Sequence, residues 1–321
     1  MKNSTSTAVV MQDPFYFSAF RSYDAGMTND NHSYIDLHIH SNYSDGAFSP
    51  EELVRRAAVA GLVSIAIADH DSVAGVTEGI SAGRLSNIDV IPAVELSVQF
   101  KTWEDVHLLG YGIDVTDSAF LKKLNGFRER REHRNIDILE RVNEMLAAEN
   151  HDIIELPEVL LFARDAIGRP HIARALLERG YVSNVEDAFR RYLVPCNVPK
   201  CYWPIDDAIK EITRIGGIAV LAHPTTITSD RQVLRDIIAD LSNMGLDGIE
   251  VFNNMVQVDE MEFLRRLALE TGLLITAGSD FHGIEEGLEM GKGRGGIRFS
   301  ESLLAPIRKR LSEHQHQLLS L

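Results

Sequence analysis

The chain has 321 residues, 45% apolar and 25% charged, which are ordinary values for a globular protein and exclude a disordered or fibrous class. Against 32 basic residues stand 47 acidic ones, a formal net charge of −15. Such a surface repels phosphate backbones and argues against stable DNA binding, although cations and a few arginines can reverse the sign locally around an enzyme site.

No apolar run approaches the ~20 residues that span a bilayer. Cys196 and Cys201 stand outside any Cys-x-x-Cys arrangement, so two free thiols in a reducing cytoplasm are expected. Residues 1–32 are polar and irregular and lack the pattern of a secretory signal. They read as a disordered leader, with Met27 as a candidate start and the folded part beginning near Ser33.

In chain order, Tyr34–His38 reads as a strand and Pro50–Gly61 as a helix, with Ser49 as N-cap, proline in the first turn and glycine as its stop. Strands at Ser64–Ala68, Asp89–Glu95 and Val106–Tyr111 follow. From 116 to 200 only helical periodicity is found, at Leu121–Glu149, Leu156–Ala166, His171–Arg179 and Val185–Leu193. Beyond it, strands at Gly217–Ala222, Gly248–Phe252 and Leu273–Ala277 alternate with helices at Ile205–Ile215, Arg231–Met244 and Asp259–Thr271. This alternation predicts an α/β fold with a parallel sheet buried on both faces, open or closed into a barrel. The barrel would be discontinuous, from 33–115 and 201–321, with 116–200 as a helical insertion lying over the site. The Gly291–Gly296 run precedes an expected strand rather than a helix, so it is not read as a phosphate loop.

Ligand-type residues sit at the downstream end of one strand after another. His38-Ile39-His40 and Asp45 follow the first, Asp69-His70-Asp71 the second, and Glu95 ends the third. His107 lies on the hairpin partner, His223-Pro224 follows GIAVLA, and Asp280-Phe281-His282 follows LLITA. In a parallel α/β fold those ends share one face. Residues two apart in extended chain also share a face, so His38 with His40, and Asp280 with His282, can each grip one cation. Each motif alone is as readily structural; five segments converging on one rim point to metal. Imidazoles and carboxylates without thiolates suit Mn²⁺, Zn²⁺ or Fe²⁺. His32, His133, His151, His314 and His316 lie in polar or terminal contexts and are not assigned to the site.

The order HxH, SDG, DHD, VELS, VHLLGYGID, AHP and GSDFH resembles the PHP (polymerase and histidinol phosphatase) superfamily from about Tyr34 to about Gly295. The segment GRPHIARALLERGYVSNVEDAFRRYL resembles the stand-alone branch that contains 3',5'-nucleoside bisphosphate phosphatases and a 5'-3' exoribonuclease. The resemblance implies a distorted (β/α)7 barrel holding three divalent metal ions, Mn²⁺ foremost. Carried over by position, His38, His40, Glu95 and Asp280 would hold the first ion, and Asp45, His70 and His282 the second. Glu95, His107 and His223 would hold the third, with Glu95 bridging.

It further implies a metal-dependent phosphoesterase acting on a nucleotide or short RNA through a metal-bridged hydroxide, with no protein nucleophile. No GxSxG or Walker A pattern is present. Arg134, Arg169, His171 and Arg174, on or near the insertion, are candidates for a second substrate phosphate, because the guanidinium fork binds phosphate bidentately. A phosphatase for another small phosphomonoester such as histidinol phosphate, an accessory nuclease module and a non-catalytic binding protein are the alternatives. The insertion, the absence of a polymerase segment and the intact ligand set argue against each in turn.

Overall fold

The computed structural model describes residues 33–162, 167–285 and 287–319. The expected leader, the Met27 start and part of the expected Leu156–Ala166 helix lie outside the described residues.

Eight strands form one sheet: β1 Tyr34–Ile39, β2 Leu62–Ile67, β3 Asp89–Phe100, β4 Trp103–Tyr111, β5 Trp203–Pro204, β6 Ile218–Leu221, β7 Gly248–Phe252 and β8 Leu274–Ala277. The order is β1-β2-β3-β4-β6-β7-β8, with β5 off this path and paired to β3. The first and last strands meet through an Ile39–Phe281 bridge, flanked by Asp280 N–H to His38 O (2.8 Å) and His40 N–H to Phe281 O (2.9 Å). The sheet therefore closes into a distorted (β/α)7 barrel.

The expectation of a parallel sheet gives way at β4, the strand already read as a hairpin partner. β4 runs antiparallel to β3, because the two residues between them, Lys101 and Thr102, permit only a hairpin return, and it pairs antiparallel with β6 as well. This reversal matters for the site, since it turns the first half of β4, up to His107, toward the rim that carries the other strands' C-termini. A second difference lies beyond the Gly291–Gly296 run. No strand forms there among the described residues, only isolated bridges of Lys292 with Arg298 and of Tyr34 with Ser300.

Inside the barrel, Leu37, Ala66, Ala93, Leu109, Val220 and Ala277 form one buried cluster drawn from six strands. Outside it, helices α1 Pro50–Val59, α2 Val76–Ser86, α7 Ile205–Arg214, α8 Arg231–Asn243 and α9 Val258–Thr271 cover the strands. α1 begins as its sequence dictates: the Ser49 hydroxyl accepts the Glu52 N–H at 3.2 Å, and Pro50 sits where a missing N–H costs nothing. A helix that the sequence reading did not anticipate, α10 Leu304–Leu319, plugs the opposite end with Leu304 and Ile307.

Between β4 and β5 runs a helical stretch: α3 Ser118–Ala148, α4 Leu156–Leu160, α5 Arg169–Glu178 and α6 Val185–Ala188, the last continuing into a π-type turn at Phe189–Leu193. α3 has two allegiances. Phe120 and Leu124 pack into the barrel's outer core, whereas Ile138, Leu139, Val142 and Leu146 join a separate core with Ile172, Leu176 and Tyr192.

Candidate metal centre

The barrel brings all nine predicted ligand residues to one rim. His38 and Glu95 come from strands, and His107 from the middle of reversed β4. His40, Asp45, His70, His223, Asp280 and His282 come from the loops that follow strand ends. Glu95, fully buried, is the hub. One of its oxygens lies 2.9 Å from His70 Nδ1 and 3.4 Å from the Nε2 atoms of both His38 and His40. The other lies 3.0 Å from His107 Nδ1 and 3.1 Å from His223 Nε2, and those two nitrogens are 3.3 Å apart. On the far side, Asp280 approaches His40 at 3.1 Å and His38 at 3.5 Å, while Asp45 approaches His282 at 3.3 Å.

Among the described residues, three groupings have ligand atoms within 4.8 Å of one another: His40, Asp45, His70 and His282; His38, His40 and Asp280; and His70, Glu95 and His107. His40 and His70 each serve two groups, where the resemblance gives each to one ion. An imidazole has two nitrogens, and on a crowded rim each can face a different neighbour.

The surroundings hold these side chains in place. Glu250 on β7 accepts from His38 Nδ1 at 3.0 Å and from the His223 backbone N–H at 2.9 Å. Asp69 takes the Ser41 N–H (2.7 Å), the Ser41 hydroxyl (2.6 Å) and the Ser44 hydroxyl (2.6 Å), which fixes the loop carrying Asp45. Asp36 does the same for the last loop through Ser279 and the Gly291 N–H. Asp71, His223 and Asp280 all have positive φ, 52°, 26° and 55°, a conformation non-glycine residues adopt only where surroundings compel it. Gly278 answers a different demand: a Cβ there would lie 2.2 Å from His38 Cβ and 2.6 Å from His38 N.

Charge is concentrated here. Burial alone would raise Glu95, yet His107, His70 and His38 hold its carboxyl well below the usual range. Burial likewise opposes ionisation of Asp45, and His70 and His282 overcome it. Burial and the neighbouring His282 push His40 down to about 4. Despite these close approaches, the buried side-chain atoms that make no well-directed hydrogen bond include His38 Nε2, both ring nitrogens of His40, Asp45 Oδ1, His70 Nδ1 and Glu95 Oε2. Buried polar atoms are rarely left unpaired, and six gathered in one place on metal-type donors fit divalent cations.

Of the expected phosphate contacts, His171 lies within electrostatic reach of Asp45 and Arg131, and burial keeps it below the ordinary imidazole value. The Gly168 N–H donates to its Nδ1 at 3.0 Å, which leaves the proton of the neutral ring on Nε2. Arg134 is engaged structurally, donating to Val198 O and to the Asn197 side chain at 2.7 Å each. Arg169 lies close enough to Arg134 for their charges to repel, and sits 5.6 Å from the Phe189 ring. Arg174 is exposed beside the Phe162 ring.

The sequence reading missed Arg131 and Lys200. Arg131 Nη1 lies 3.7 Å from Asp71, next to His70 in sequence. Lys200 lies 3.1 Å from Asp105 and feels Asp71 and Arg131, with burial lowering its amine. Arg131 was hidden in a run of helical charges that all look solvated; the missed signal for Glu250 was a carboxylate in the apolar strand GIEVF.

A family model described as the PHP domain matches residues 36–194. A 5'-3' exoribonuclease of Haemophilus influenzae is 34% identical over 80% of this chain and 93% of its own. A 3',5'-nucleoside bisphosphate phosphatase of Chromobacterium violaceum is 35% identical over 79% of this chain and 88% of its own. Among solved structures, a protein of Bifidobacterium adolescentis described as a metal-dependent phosphoesterase superposes with a TM-score of 0.74 at 27% identity, covering 88% of this chain and 98% of that one. The folded barrel, its rim of imidazoles and carboxylates, and these relatives agree: the chain belongs to the PHP domain family of metal-dependent phosphoesterases.

Proposed function

We propose that this enzyme removes the 3'-phosphate of nucleoside 3',5'-bisphosphates and releases nucleotides from the 5' end of short RNA. The reading is carried by six unpaired buried donor atoms gathered around Glu95 and Asp45, close to an insertion that offers His171 and Arg131. The substrate class comes from what the two curated relatives are named for.

His38, His40, Glu95 and Asp280 would hold one divalent ion, Asp45, His70 and His282 a second, and Glu95, His107 and His223 a third. The donor set suits Mn²⁺, with Zn²⁺ and Fe²⁺ as alternatives. Bound there, the ions would supply Lewis acidity for the phosphoryl oxygens and a water made acidic near neutral pH.

This chain's own residues do the rest. Residues 116–200 act as the reader of the phosphate that is not cut. His171 presents an Nε2–H donor because the Gly168 N–H occupies its Nδ1. Arg131 is steadied by Asp71, itself anchored by the Ser97 N–H at 2.9 Å, and Lys200 adds a second cation. Arg134, Arg169 and Arg174 supply a positive field around them. Hydrolysis breaks the P–O3' bond, the 3' oxygen leaves with a proton, and the phosphoryl group keeps the oxygen of water. Two unpaired thiols agree with a cytoplasmic setting, and among the described residues no helix is long and apolar enough to cross a membrane.

The test is product release by the Mn²⁺-loaded protein from adenosine 3',5'-bisphosphate, a 5'-phosphorylated RNA oligomer and histidinol phosphate. AMP from the first and mononucleotides from the second are expected. Turnover of the third alone would leave a phosphoesterase but overturn the nucleotide reading.

A further inference from the structure

We infer that a cleft beside the metal rim seats the second nucleotide of an RNA substrate, the one that leaves with the cut phosphate; this rests on the nucleotide reading above. The cleft has a volume of about 570 Å³ and lies between the β2–α2 loop and the first turns of α3. That volume lies within the range of ~300–1,000 Å³ typical of small-molecule sites. It is continuous with the rim: a narrower recess lined by His70 and Arg131 shares Asp71, Ser72 and Arg128 with it.

Its lining divides by chemistry. Leu121 offers apolar surface, keeping 38% of its area exposed on the cleft wall, beside Val73 and Leu124, which are buried. Lys122 and Arg128 stand beside them on α3. Apolar wall next to cations is what a base and its flanking phosphate require, and base stacking is tolerant of sequence. The one acidic group of the lining, Asp71, has its oxygens directed to the Ser97 N–H and to Arg131, so it does not present a bare charge.

The direction of the chain follows from the chemistry. With the 5'-phosphate of the first nucleotide at the insertion and the next phosphate at the rim, hydrolysis breaks the bond to the first nucleotide's 3' oxygen. The second nucleotide keeps the phosphate and must extend from the rim to one side of the residues that read the 5'-phosphate. The cleft opens from the rim on such a path, past His70, Asp71 and Arg131. A 3',5'-bisphosphate has no second nucleotide, so it leaves the cleft unfilled. The two substrates thus share the rim and differ in the cleft.

The experiment compares wild-type protein with Leu121→Asp and Lys122→Glu, both exposed positions outside the rim. Each is assayed on adenosine 3',5'-bisphosphate and on a 5'-phosphorylated RNA trinucleotide. A tenfold or larger fall in kcat/KM on the trinucleotide is expected, with less than a twofold change on the bisphosphate. Fluorescence anisotropy of a labelled trinucleotide bound to metal-free protein should weaken at least fivefold in both variants. A trinucleotide lacking the second base should bind wild type and Leu121→Asp alike. Equal losses on both substrates, or trinucleotide turnover and binding unchanged in both variants, would overturn the assignment. A wild-type protein inactive on both substrates would instead remove the nucleotide reading, and the cleft's role with it.

Discussion

Glu250 never reaches the rim's hub, yet it fixes two of its members, His38 through the ring and His223 through the backbone. Removing its charge while keeping its shape should loosen both. Glu250→Gln is expected to weaken metal affinity about 10–100-fold with the fold intact, because partners behind ligands set their basicity and orientation. Titration of metal into the stripped variant, read by calorimetry, measures it, and unchanged affinity would deny Glu250 this role. Gly278 lies under a harsher constraint. Neither His38 Cβ nor its backbone N, 2.2 and 2.6 Å from where an alanine methyl would go, can swing aside. Gly278→Ala should therefore destabilise the protein by about 3 kcal/mol or more, seen as a lower urea midpoint, and should displace His38 as well.

At the scale of elements, α3 joins the barrel's outer core to the second core of the helices that follow it, with its first turns in one and its last in the other. Arg131 stands midway along it, aimed at Asp71. Replacing it with methionine, which keeps the stem but not the charge, should raise KM for adenosine 3',5'-bisphosphate about tenfold or more. KM for a substrate with a single phosphate should change much less, and steady-state kinetics on the pair would show equal shifts if Arg131 reads no second phosphate. The same helix shows where legibility in the sequence ended. Apolar strand runs and their downstream His and Asp could be read directly, because strand period and ligand chemistry are both local. The reversal of β4 was legible as a hairpin partner behind a short polar turn, whereas its antiparallel pairing with β6 carries no local signal. Arg131 could not be told from Arg128 or Arg130, since which face of a charged helix meets the rim is decided by packing in three dimensions. Glu250 and Asp36 stand in the sequence as single carboxylates within strands, and their role lies in the loops they hold, which no local pattern marks. α10 was passed over because its charges conceal a short apolar edge, Leu304 and Ile307, that matters only once a barrel end needs closing.

That closure governs the molecule as a whole. Asp247, at the start of β7 and nearly buried, accepts from the Ala219 N–H at 2.9 Å, and its backbone bonds to β6 and toward β8. From α10, Arg310 reaches it at 2.8 Å and His314 at 3.3 Å, while His314 Nδ1 donates to Gly217 O at 2.8 Å. The carboxylate raises His314 above the ordinary imidazole value, with Arg310 opposing, and His314 in turn helps hold Asp247 below the usual carboxylate range although burial would raise it. A histidine whose folded value is raised stabilises fully below its unfolded value, near 6.5, and loses that contribution as pH climbs through the folded value. A depressed aspartate contributes above its unfolded value, near 3.9, and loses that as pH falls through the folded one. The two overlap on the mildly acidic side of neutrality. His314→Gln should accordingly cost about 1.5 kcal/mol at pH 6, in the range of a hydrogen bond to a charged group, and progressively less toward pH 9. Urea unfolding at the two values decides the matter. A penalty that is flat with pH would mean the imidazole acts by packing and its Gly217 contact alone, whereas one that grows with pH would contradict the sign of the shift. Loss confined to acidic conditions would show that the end of the barrel opposite the rim is held partly by charge, through a helix that contributes no residue to the site.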